Sequence, residues 1–106
     1  MPVAAIPTID ELRSLVPEFC RAHGISRLEV FGSIARREAR AGSDVDLMVT
    51  FRPDVHPGLD FFSMQDELQE LLGIRIDLLT RRSVERGDNP IRRQSILESA
   101  VDLYAE

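Results

Sequence analysis

The chain has 106 residues, 43% of them hydrophobic, and a formal net charge of −5 at pH 7. That length suits one domain, residues 1–106, around one modest core. The acidic balance argues against direct nucleic-acid binding, which wants a basic face, and no apolar run approaches the roughly 20 residues of a membrane span. A single cysteine, Cys20, excludes an internal disulfide, and no Cys/His cluster has zinc spacing. Residues 1–7 carry no basic region before Asp10 and Glu11, so no signal peptide and a cytoplasmic protein are expected.

Thr8 and Glu11 form a capping-box pattern at the start of a first helix. Leu12, Leu15, Val16, Phe19 and Cys20 follow at helical spacing, and Gly24 stops it. Pro17 falls off that stripe and should kink or split the helix. Residues 27–31 predict a strand, with Leu28 and Val30 alternating with Glu29. Residues 33 to about 40 predict a short charged helix, and 41–43 a turn. Residues 45–51 predict a second strand. Val45, Leu47, Val49 and Phe51 lie on one face, and Asp44, Asp46, Met48 and Thr50 on the other.

Two prolines and a glycine make 52–58 a loop. A helix is predicted over 59–72, with Phe62, Leu68, Leu71 and Leu72 on one face and Gly73 as its end. A third strand is predicted over 74–79, where Ile74, Ile76 and Leu78 alternate with Arg75 and Asp77. Residues 81–88 read as a polar connection. Asn89-Pro90 is an N-cap and N1 pair, opening a last helix over 91–104. The order α-β-α-β-α-β-α predicts an α/β (α+β) fold, a small mixed sheet covered by helices.

Asp44 and Asp46 lie two residues apart on a strand, roughly 6.6–6.8 Å, and point to the same side. Magnesium is held by one or two carboxylates plus substrate phosphates, and two-metal sites add a third carboxylate. Asp77, on the polar side of the third strand, meets that need if strands two and three are neighbours. Like charges 4 Å apart cost about 4 kcal/mol at an effective dielectric near 20, so cations are the natural reason for such a cluster. Gly32 and Ser33 follow the first strand, where a tight turn can hold phosphate oxygens. Arg36, one turn on, can neutralise a polyphosphate.

Plainer roles compete. Asp44 and Asp46 could line an exposed strand face, Ser33 could be a helix N-cap, and Arg36, Arg37 and Arg40 could form a solvated face. Cys20 fits a core position. His23 fits a helix end and His56 a loop. Tyr104 fits packing, with a role as a self-modified acceptor hydroxyl as the lesser alternative. Phe61, Phe62 and Met64 fit core or partner contact better than base stacking.

Phe31-Gly32-Ser33-Ile34-Ala35-Arg36, followed by Gly42-Ser43-Asp44-Val45-Asp46-Leu47, resembles the signature of the DNA polymerase beta-type nucleotidyltransferase superfamily. Residues 73–80, Gly-Ile-Arg-Ile-Asp-Leu-Leu-Thr, are similar to the third-carboxylate segment of its smallest members. These are the minimal nucleotidyltransferases, or MNT proteins, antitoxins that accompany HEPN toxins. The resemblance spans nearly the whole chain. It implies that Gly32 and Ser33 hold the triphosphate, with Arg36 beside them. It implies that Asp44 and Asp46 bind magnesium, two ions in all, and that Asp77 completes the metal site and helps deprotonate the acceptor. It further implies transfer of AMP from ATP to a tyrosine of a partner HEPN toxin in a hetero-oligomer.

Spacing alone supports metal-assisted nucleotidyl transfer. The leading expectation is therefore a magnesium- and ATP-dependent protein adenylyltransferase acting as an antitoxin. A non-catalytic antitoxin that neutralises its toxin by binding, and a transferase for a small hydroxylated molecule, are the alternatives.

Overall fold

The computed structural model describes residues 7–36, 38 and 44–106. The capping box forms as read. Glu11 N donates to Thr8 Oγ1 at 3.1 Å, and α1 runs over Ile9–Leu15. Pro17 splits the predicted helix rather than bending it: α2, Pro17–Ala22, begins on the proline, whose missing N–H costs nothing at a helix start. Two antiparallel strands follow, β1 over Ile25–Phe31 and β2 over Val45–Phe51.

The predicted helix after β1 is not seen among the described residues. There, Gly32–Arg36 is a turn, with Arg36 N donating to Gly32 O at 3.1 Å and Glu38 N to Ser33 O at 2.8 Å. The two bonds have different spans, so no regular ladder is propagated. The remainder of that predicted helix, at 37, 39 and 40, and the predicted turn at 41–43 lie outside the described residues.

α3, Asp60–Leu72, ends on Gly73 in the left-handed conformation (φ 68°). Its buried side chains are Met64 and Leu68, flanked by Phe61 and Leu72. The predicted apolar face was rotated: Phe62 is 71% exposed and Leu71 is 43% exposed. β3, Ile76–Thr80, pairs parallel to β2. Two glutamines of α3 cover its outer edge, Gln69 Oε1 accepting from Ile76 N at 3.1 Å and Gln65 Oε1 from Leu78 N at 3.2 Å. Those contacts satisfy backbone groups that would otherwise invite another strand.

The polar connection after β3 contains a helix. α4, Arg81–Glu85, is capped by the Thr80 hydroxyl, which accepts from Ser83 N at 3.1 Å. The Asn89-Pro90 pair opens α5, Pro90–Ser99, as expected. That helix stops five residues early. Ala100 is extended, and Val101–Ala105 forms β4, antiparallel to β1. Strand formation wins because Leu103 enters the core while Asp102 stays exposed, a period of two. Its partner, β1, is more than 70 residues away, so no local signal marks it.

The sheet order is β3-β2-β1-β4. One face carries Leu28, Val30, Val45, Leu47, Val49, Ile76 and Leu78, closed by Leu12, Phe19, Cys20, Met64 and Leu68 of α1, α2 and α3. The opposite face holds a smaller cluster of Phe31, Met48 and Val84, with Leu79, Ile96 and Leu97 packed against it. α4 and α5 thus cover part of the face that carries the aspartates.

On that same side, Glu29 is a charged residue only 2% exposed. Both its oxygens accept from Arg81 Nη1, at 2.7 and 2.8 Å, and Arg27 Nη2 lies 3.5 Å away. The pair clamps the start of α4 to β1 across β2. Removing one partner of a buried pair leaves an uncompensated charge, at about 3–5 kcal/mol. Arg81→Ala is therefore expected to lower unfolding stability by about 3 kcal/mol in urea titrations. Double replacement of Glu29 and Arg81 by Leu should cost much less.

Candidate active site

Parallel pairing sets Asp46 directly beside Asp77, and antiparallel pairing sets Asp46 beside Phe31, the residue before Gly32. Three chain segments distant in sequence therefore meet at one point of the sheet. Between that point and α5 lies a cavity of about 420 Å³. Gly32, Arg36, Asp46 and Asp77 line it from the sheet side, and Asn89, Arg92, Ser95 and Ser99 from α5. Ser33 and Asp44 do not line it.

Gly32 is required here for two physical reasons. Its φ is +74°, a region that L side chains avoid. A Cβ at that position would also stand 2.5 Å from Asp46 Oδ2. The glycine thus makes room for the carboxylate, in addition to any approach to a ligand.

Burial pushes the Asp46 carboxyl above the ordinary aspartate range, and the charges of Asp77 and then Asp44 push it further. The arginines Arg36 and Arg92 partly oppose the shift. Asp77 is exposed, as is Asp44. Asp44 turns toward the side chain of Arg75, with Arg75 Nε 3.9 Å from Asp44 Oδ1. Arg75 is 84% exposed in its side chain, so that pair is weak and screened. Among the described residues, no three acidic, histidine or cysteine side chains stand close enough to hold one ion as placed. The donor chemistry nonetheless fits a hard divalent cation: carboxylate oxygens on adjacent strands, with mutual repulsion that a cation would relieve.

The Arg36 guanidinium pairs with Glu38, Nε to Oε2 at 3.2 Å. Arg92 was not singled out from the sequence. The signal was present: Arg92 and Arg93 occupy the first turn of a helix with no acidic residue there. The remaining candidates fall elsewhere. Cys20 is fully buried, with its thiol pushed up to about 12, so it is inert. His23 closes α2 and meets Glu67, Nε2 to Oε2 at 2.5 Å. His56 lies with Phe61 and Phe62 in a different cavity. The Tyr104 hydroxyl reaches Glu106 at 3.4 Å, and its ring packs on the larger core.

Comparison with known proteins decides the family. Residues 12–103 match the nucleotidyltransferase domain, which leaves only the ends of the chain outside. The chain belongs to the nucleotidyltransferase domain family. Within it, the chain is 34% identical over 87 residues to protein adenylyltransferase MntA of Thermococcus cleftensis, spanning 78% of this chain and 87% of that one. A solved structure described provisionally as a minimal nucleotidyltransferase shares 36% identity and a TM-score of 0.67, covering 92% of this chain and 98% of that one. A solved complex of a tri-AMPylated Shewanella oneidensis HEPN toxin with an MNT antitoxin gives a TM-score of 0.63 at 15% identity, covering 93% of this chain and 74% of that one. At that identity the likeness is one of fold.

Two outcomes follow for this nucleotidyltransferase. Gly32→Ala forces a left-handed alanine and displaces Asp46, so activity should fall by about 10²-fold, with strain of about 1–2 kcal/mol in the unfolding curve. For Asp46, the raised native value means that folded protein binds the proton more tightly than unfolded chain. Stability therefore falls as pH rises from the ordinary aspartate range through the raised value. In the presence of a chelator at pH 7, Asp46→Asn should melt higher than the parent protein, and the gap should close in acid. An Asn variant no more stable at pH 7 would contradict this.

Proposed function

We propose that this protein transfers AMP from ATP, with magnesium, to a tyrosine hydroxyl of a partner HEPN toxin, and so acts as its antitoxin in the cytoplasm. The observation that carries the reading is the register match of Asp46 with Asp77 beside the Gly32 turn, inside a cavity open to solvent. The names of the relatives, a protein adenylyltransferase and an MNT antitoxin seen with its AMPylated toxin, support the choice of reaction and partner.

In this reading Asp44, Asp46 and Asp77 hold the ions, and Gly32, Ser33 and Arg36 hold the triphosphate. Bound magnesium would supply charge neutralisation at the phosphates and favour ionisation of the acceptor hydroxyl. Asp77 is exposed, which suits it to face an incoming acceptor and to accept its proton on a carboxylate oxygen. The acceptor oxygen bonds to the α-phosphorus as the bond to the bridging oxygen breaks, and pyrophosphate leaves. The parallel pairing holds the backbones of Asp46 and Asp77 side by side before substrate arrives, and rotation of their side chains would bring the carboxylates onto the ions.

One observation favours a second reading, an antitoxin that acts by binding alone. Asp44 faces Arg75 and not the cavity. The two readings separate in one experiment. The protein is incubated with ATP labelled at the α-phosphate, magnesium and the HEPN protein encoded beside it. Label on that protein, lost by at least about 10²-fold in Asp46→Asn and Asp77→Asn, is expected. Full neutralisation of the toxin by both Asn variants, with no label transferred by the parent, would establish the binding reading instead.

A further inference from the structure

The wall that α5 presents to the cavity is unused in the reaction just described. Two arginines reach the space from opposite sides. Arg36 is engaged by Glu38 at 3.2 Å. Arg92 is exposed and forms no ion pair among the described residues. Its neighbour Arg93, by contrast, donates to Gly87 O at 3.0 Å.

The backbone holds Arg92 in place. Asn89 Oδ1 accepts from Ile91 N and Arg92 N, both at 3.1 Å, which pins the turn that carries the side chain. No side chain of α5 is fully buried, so packing does not account for the residue. A cation in the first turn of a helix opposes the helix dipole, and this turn contains no acid to offset it. That cost is relieved when an anion occupies the space in front of it. The reacting α-phosphate belongs beside Asp46 and Asp77, on the sheet side. What remains for the facing wall is the rest of the polyphosphate.

We propose that Arg92 binds the β- and γ-phosphates of the nucleotide, from the α5 side of the cavity. The inference rests on the adenylyl-transfer reading above. When the acceptor oxygen bonds to the α-phosphorus, the electron pair of the broken bond leaves on pyrophosphate, and the acceptor proton passes to Asp77. Arg92 neutralises the charge that accumulates on that leaving group. A planar guanidinium fork suits two phosphate oxygens better than a point charge does.

The test compares ATP, inorganic tripolyphosphate and AMP by calorimetric titration in magnesium, with the parent protein, Arg92→Gln and Arg92→Lys. In Arg92→Gln, ATP and tripolyphosphate should bind about tenfold more weakly while AMP binding is unchanged. Arg92→Lys should lose less than Arg92→Gln. Equal weakening of ATP and AMP, unchanged ATP binding, or equal loss in the two variants would each overturn the proposal. If the parent protein itself binds no ATP, the adenylyl-transfer reading fails. If the parent binds ATP and Arg92→Gln binds it as well, only the role of Arg92 fails.

Discussion

The structure depends on one pairing, β2 running parallel beside β3 with Asp46 opposite Asp77. Two carboxylates side by side repel, and Asp46, partly buried, is the less solvated of the two. What forces them together is on the other side of the same strands. Val45, Leu47 and Val49 of β2 and Ile76 and Leu78 of β3 are buried under α1, α2 and α3. A slip of one residue in either strand would expose that apolar set, so the core fixes the register and the register fixes the acids. Hydrophobic burial therefore holds an electrostatically unfavourable arrangement in place. The glutamines of α3 on the β3 edge and the clamp between Glu29 and Arg81 keep the same strands from shifting.

The same face shows how function and packing share one sheet. Beyond the aspartates, Phe31, Met48 and Val84 form a small second core under α4 and α5. This cluster brings α5, and with it Arg92, over the cavity. Gly32 belongs to the same compromise. Its missing side chain is the space in which the Asp46 carboxylate sits, so a turn that reads as a phosphate loop is also a structural requirement of the acid.

Much of this was legible in the residues. Thr8 and Glu11, Pro17, the alternation in β1 and β2, Gly73 and the Asn89-Pro90 pair each act through their immediate neighbours, and each marks its element correctly. The mixed α/β class followed from the order of the predicted helices and strands, and the family from the motif around Gly32, Asp44, Asp46 and Asp77. The misses have long-range or competing causes. β4 exists because it pairs with β1, and Val101, Leu103 and Tyr104 alone fit a helix end equally well. The apolar face of α3 was set by where the sheet lies, which buried Met64 and left Phe62 in solvent. The contact of Arg75 with Asp44 was likewise invisible in the two-residue spacing, which says nothing of neighbouring strands. Arg92 joins the site only through the packing of α5 on a second core.

The central claim is that the paired acids of β2 and β3 exist to hold divalent cations at a triphosphate. Crystals grown with manganese and a non-hydrolysable ATP analogue address it most directly, through the anomalous signal of the metal. The account requires manganese bound by the carboxylates of both Asp46 and Asp77, with the analogue's phosphates in the cavity between the Gly32 turn and α5. Nucleotide bound elsewhere, or a cavity that stays free of metal at saturating manganese, would contradict it.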